Sequence, residues 1–144
     1  MTAKDMWEAY SQKENIAADY EAWAFGDDPD ELARLVNDGI KTATASARIW
    51  YDLEGEPLPK AGQYSVILNS REEAVCIICT ERVFVLPFHQ VDEIQAWREG
   101  EGDRSLPYWR RVHERFFTEE LKTIGRAFDE NMHIVCEEFQ KVYP

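Results

Sequence analysis

The chain has 144 residues, 44% of them apolar and 12% aromatic, enough for one hydrophobic core and too many for a disordered chain. Sixteen Lys and Arg stand against 28 Asp and Glu, a formal charge of −12, which opposes indiscriminate binding to nucleic acid or anionic lipid by overall field. No apolar run approaches the roughly 18 residues that span a bilayer and the N-terminus lacks a charged-then-apolar signal pattern, so a single cytoplasmic domain is expected.

In chain order, residues 1–22 read as a helix carrying Trp7, Tyr10 and Tyr20. A second helix is well signalled: Asp28 as cap, Pro29 in the first turn, Glu31 three after the cap, Leu32, Leu35 and Val36 on one stripe, and Gly39 at the end. Residues 40–51 then turn to small and β-branched side chains and read as a strand. GQYSVILN (62–69) alternates, with Tyr64, Val66 and Leu68 facing one way, and Asn69–Glu72 joins it to a longer strand, AVCIICTERVFV (74–85). VDEIQAWRE (91–99) is helical, Ser105 caps a long helix to about Ile124, and MHIVCEEFQKVY (132–143) closes as a strand. This order is not the alternation of a doubly wound sheet. It predicts an α+β fold in which a small mixed sheet, curled into a partial barrel, is covered by helices.

Three cysteines, Cys76, Cys79 and Cys136, offer poor disulfide arithmetic. Cys76 and Cys79 have C-x2-C spacing, but positions three apart in a strand face opposite ways. They are expected to be interior side chains rather than metal ligands.

Four segments admit chemistry. In Gly39–Ser46 a lone Lys41 is followed by Thr42, Thr44 and Ser46 among tiny side chains. Small residues allow close approach of a ligand that the hydroxyls could bond, or a strand packed tightly under a helix. In Glu99-Gly100-Glu101-Gly102-Asp103 three carboxylates could hold a metal or supply a general base; an acidic loop whose Asp103 helps to cap the next helix is the plainer alternative. Arg104, Arg110, Arg111 and Arg115 stand against Glu114 alone, and offer anion contacts or a solvated helix face. His113 shares the apolar face with Trp109 and Phe116 and reads as a buried, hydrogen-bonded histidine. Trp23 and Phe25 could stack on a base or pack in the core.

Taken together, YEAWAFG (20–26), ELARLVNDGIKTATAS (31–46), EGEPLPKAGQYSVIL (54–68), VLPFHQV (85–91) and EGEGDRSLPYWRRVHERFF (99–117) resemble the ASCH domain of the PUA-like superfamily. The resemblance implies a small β-barrel flanked by helices, residues 1–25 or so being an N-terminal helical extension, with a cleft for RNA or a nucleobase beside Gly39–Ser46. Members are linked to RNA binding, and some are similar to ribonucleases or to amidohydrolases of acylated cytidine, in which a Lys, a Thr three residues later and a Glu act together. Lys41, Thr44 and Glu99 match these, with Glu101 beside the last.

On this reading a Lys41 amine of lowered pKa takes the Thr44 proton, and Glu99 orients Lys41 and shuttles the proton. A strict strand would put Lys41 and Thr44 on opposite faces, so irregular backbone is required between them. Thr42, Ser46, Glu101, Asp103, Arg104 and Arg110 are expected as supporting substrate contacts, with Trp23 and Phe25 as stacking groups. No metal or cofactor is assigned, although a ribonuclease would admit a divalent cation at Glu99 or Glu101. A binding module without turnover uses the same residues, and a protein–protein adaptor would instead use the acidic surface to meet basic partners. The acidity favours short or single-nucleotide ligands, and nothing in the sequence fixes an oligomeric state.

Overall fold

The longest apolar run, Ala74–Cys79, opens the longest strand, and the other elements are arranged around the pairing of that strand with the last one. A computed structural model describes residues 1–144. In chain order the elements are α1 (Ala3–Glu14), β1 (Tyr20–Trp23), α2 (Pro29–Asn37), β2 (Ala43–Ala47), α3 (Arg48–Glu54), β3 (Tyr64–Leu68), β4 (Ala74–Pro87), a 3-10 turn (Phe88–Gln90), α4 (Glu93–Glu99), α5 (Leu106–Lys122) and β5 (His133–Tyr143). They form an α+β fold around one mixed sheet of order β1-β3-β4-β5-β2. Only β1–β3 is parallel.

Strand alternation divides the side chains between helices. Tyr64, Val66 and Leu68 meet Met6, Trp7 and Tyr10 of α1, as the alternation predicts. Ile67, Cys76, Ile78 and Phe139 point the other way, against Leu32, Leu35 and Val36 of α2. At the far end of the sheet Ile134 and Cys136 pack with Phe88, Trp109 and Phe117. Cys76 lies in the interior with its thiol pushed up to about 12 by burial, and all three cysteines are free.

Several sequence expectations need correction. The sheet does not close: β1 and β2 each have one neighbour, leaving an open sheet where a barrel was expected. The first helix stops at Asn15, which is left-handed (φ 55°). Residues 20–23 form an edge strand, because β3 offers them a parallel ladder that the sequence YEAW does not advertise. Asp28 is left-handed and makes no side-chain cap; Glu31 bonds Arg34 instead. Residues 48–54 are helical, because the β2–β5 ladder ends at Ala47 opposite Ile134, next to the start of β5. Gly55 then terminates that turn with φ 67°. No helix is long and apolar enough to cross a membrane.

The connection from α4 to α5 passes directly over the α2–β2 junction. Gly100 closes α4 with φ 72°, and a Cβ there would sit 2.6 Å from the Ile40 carbonyl oxygen. Gly100→Ala therefore combines a strained backbone with a backbone clash, and is expected to cost about 2 kcal/mol or more. Urea denaturation of the two proteins measures it.

Candidate functional site

Three short-range devices bring distant residues together. After α2 the chain turns at Gly39 (φ 77°), and both Ile40 and Lys41 donate their amides to the Leu35 carbonyl, at 2.9 and 3.1 Å. The Thr42 amide then reaches the Arg98 carbonyl at 2.7 Å, while its own carbonyl accepts from the Phe139 amide at 3.0 Å. Pinned between α4 and β5, Lys41 is directed inward and is only 2% exposed. Regular strand begins at Ala43, so Lys41 lies outside it, in the helix-to-strand junction.

Helix α4, capped by the Asp92 carboxylate at the Ile94 and Gln95 amides, presents Gln95 and Glu99 four residues apart on one face. Helix α5, capped by the Ser105 hydroxyl at the Tyr108 amide (3.2 Å), presents Trp109 and His113 at the same spacing. All four side chains converge with Lys41.

Glu99 is the hub. Its Oε1 lies 3.3 Å from Lys41 Nζ and 3.3 Å from His113 Nε2. Its Oε2 accepts from Gln95 Nε2 at 3.1 Å and from the Trp109 indole. Lys41 Nζ also donates to Glu101 Oε2 at 2.9 Å and to the Glu99 carbonyl at 3.4 Å, and it lies 5.4 Å from the Phe25 ring centre. His113 stacks on Trp109 with ring centres 4.1 Å apart, and its Nδ1 donates to the Trp109 carbonyl at 2.9 Å.

Two opposing effects set the charges. Burial pushes the Glu99 carboxyl up, but His113, Lys41 and the hydrogen bonds from His113 and Trp109 outweigh it and hold the group well below its ordinary range. Burial pulls His113 down, and the Glu99 charge and hydrogen bond, helped by Glu101 and the Trp109 carbonyl, more than restore it. Each ring nitrogen faces an acceptor, which is the environment of an imidazolium.

Beside this cluster is a small hollow of about 70 Å³, lined by Phe25, Lys41, Thr44, Glu99, Glu101, His113 and Phe116 among others. It shares Phe25, Gly26, Thr44, Ala45 and Phe116 with a cleft of about 530 Å³ that also presents Trp23, Ser46, Trp50 and Tyr51. The structure therefore gathers Lys41, Glu99, Glu101, Thr44 and Phe25 at the hollow and places Trp23 and Ser46 in the adjoining cleft. Ser46 Oγ lies 2.9 Å from the Tyr51 hydroxyl. Trp23 and Phe25 meet edge to face, 4.9 Å between centres.

Four expected contacts are not brought there, because the turns use them. Thr42 Oγ1 donates to the Arg98 carbonyl (3.3 Å). Arg104 stacks on Trp97 at 3.7 Å and donates to the Trp97 and Ile40 carbonyls. Arg110 holds the His89 and Val91 carbonyls, and Asp103 accepts from the Ser105 amide. Sequence reasoning placed His113 in the interior without its role in the charge cluster, and passed over Gln95. The signal was the repeated spacing of four, Gln95–Glu99 and Trp109–His113.

Glu99, Glu101 and His113 each offer a ligand atom within 4.8 Å of the others. The Lys41 ammonium already bridges both carboxylates, however, and His113 has an acceptor on each nitrogen. This donor set suits a salt cluster better than a divalent cation, which requires a neutral imidazole.

The pH dependence of stability follows by sign. Glu99 is shifted down, so its contribution is full above the ordinary 4.5 and fades as pH falls further. His113 is shifted up, so its contribution is full below the ordinary 6.5 and fades as pH rises through its folded value. Chemical denaturation of wild type and His113→Phe across pH is expected to show their largest difference between those two values. ¹⁵N NMR is expected to find His113 doubly protonated at pH 6.5.

The ASCH domain matches residues 21–143 of the chain. The crystal structure of an ASCH domain from Lactobacillus crispatus JV V101 superposes with a TM-score of 0.91 at 33% identity, covering 98% of this chain and 94% of that one. Protein EF3133 from Enterococcus faecalis V583 gives 0.90 at 36% identity, covering 97% and 87%. A search of curated proteins found no match. With the matched segment spanning nearly the whole sheet and the buried lysine–glutamate cluster, the chain belongs to the ASCH domain family.

Proposed function

We propose that this ASCH-domain protein binds an uncharged modified nucleoside and hydrolyses its acyl–amine bond, as in an acylated cytidine. The observation that carries this reading is the Lys41–Glu101 contact in a hollow that adjoins a cleft of nucleoside size with aromatic lining. The cleft wall also discriminates among ligands. It carries Glu21, Glu54, Glu56, Glu120 and Glu137 and no lysine or arginine. A phosphate backbone is repelled there, which favours a nucleoside over an RNA strand and an amidohydrolase over a ribonuclease.

The roles follow from accessibility. Glu99 has both oxygens occupied by Lys41, His113, Gln95 and Trp109, so it positions Lys41. Glu101 bonds Lys41 alone and keeps an open side. The Thr44 hydroxyl attacks the acyl carbon and its proton passes to Glu101, while the positive charge of Lys41 stabilises the oxyanion on the acyl oxygen. The tetrahedral adduct collapses, Glu101 returns the proton to the departing amine, and a Thr44 ester remains. Water hydrolyses that ester, releasing the carboxylic acid and restoring the hydroxyl. A nucleobase-binding module without turnover is the second reading; it is favoured by the near-complete burial of Lys41 and Glu99.

Release of cytidine from N4-acetylcytidine, followed by chromatography, tests the proposal. Lys41→Met, Thr44→Ala and Glu101→Gln are each expected to lower turnover by about 10²–10⁴-fold, with circular dichroism confirming the fold. Undiminished turnover in the Lys41 variant defeats the hydrolase reading. Chelator-sensitive cleavage of RNA that disappears in Glu101→Gln would replace it with a ribonuclease.

A further inference from the structure

The side of the sheet that faces α2 changes character along its length. Ile67, Ile78 and Phe139 are core residues against α2. Two positions along the same strands, facing the same way, stand Ser65, Thr80 and Glu137. These three are as buried as the core, at 6%, 3% and 9% exposure. All three line the large cleft. The hydroxyls make no hydrogen bond within the protein, and the Glu137 carboxylate has neither hydrogen bond nor ion pair. Burial, with Glu21 facing it and no cation near, pushes that carboxyl up to about 7. A diagonal of polar side chains across three neighbouring strands opens onto the cleft, where the donors of a ligand can replace water.

We infer that Glu137, which shares the cleft with Ser65 and Thr80, is a ligand-specificity residue whose carboxylate accepts two adjacent hydrogen-bond donors of an uncharged nucleoside lying in the cleft. This rests on the reading that the cleft takes a nucleoside, but not on the hydrolysis. Neutral donors fit because a carboxylate accepts from both oxygens and the surrounding glutamates exclude an anion. The 2′ and 3′ hydroxyls of ribose are such a pair, whereas the cytosine edge sets its one amino donor beside an acceptor nitrogen. The aromatic wall, Trp23, Phe25 and Phe116, suits the base face.

Isothermal titration calorimetry at pH 8 with cytidine, uridine and 2′-deoxycytidine tests this. Cytidine and uridine are each expected to bind about tenfold tighter than 2′-deoxycytidine. The isosteric Glu137→Gln is expected to weaken cytidine by about tenfold, to the level of the poorer analogue, with the melting temperature held or raised. Equal binding of all three by wild type, absence of binding, or an unchanged cytidine affinity in Glu137→Gln overturns the inference. A fall in melting temperature overturns it as well, since it would mark the carboxylate as a structural partner. Cytidine binding by a protein that leaves N4-acetylcytidine intact would defeat the hydrolase proposal and leave this one standing.

Discussion

The buried pair of Lys41 and Glu99 is the constraint on which the rest of the site depends. It joins residues 58 positions apart in the chain, and neither is more than 2% exposed. Taking two charges out of water is expensive, and their attraction repays it only when the remaining donors and acceptors are also satisfied. Here they are: both oxygens of Glu99 have two partners, and the ammonium has three acceptors. The geometry is held from three directions, by the turn after α2, by the end of α4 and by the middle of α5. Any one of these elements displaced would leave a charge unpaired in the interior, at a cost of about 3–5 kcal/mol.

Much of this fold was legible in residues whose signal is local. Ser105 before Leu106-Pro107, the Asn69–Glu72 hairpin and the alternation of Tyr64, Val66 and Leu68 all specify their own conformation, and the structure agrees. What was not legible depends on partners far away in the chain. The strand at Tyr20–Trp23 exists because β3 lies beside it, and the helix at Arg48–Glu54 because β5 offers β2 no further ladder. Asp28 carries the right side chain for a cap but the wrong backbone, at φ 43°.

The candidate site divides along the same line. Lys41 stood out as a lone cation among small residues, and the acidic loop as three carboxylates spaced by glycine. Their meeting could not be read from spacing; it came with the family resemblance. The arginines misled because their charge suggested anions, whereas Arg104 and Arg110 serve carbonyls at the ends of turns. Glu137 gave no signal in an alternating strand, HIVCEEFQKVY. Its distinction is the face it occupies, which only the sheet defines.

The hub arrangement of Glu99 has a consequence for how such a sequence can drift. Because one carboxylate satisfies a lysine, an imidazole, an amide and an indole together, the five side chains form a single epistatic unit. A change at any member alters the acceptable identities at the others, so replacements there must arrive as sets. Outside that unit, the solvent-facing positions of α1 and α5 remain free to vary one at a time.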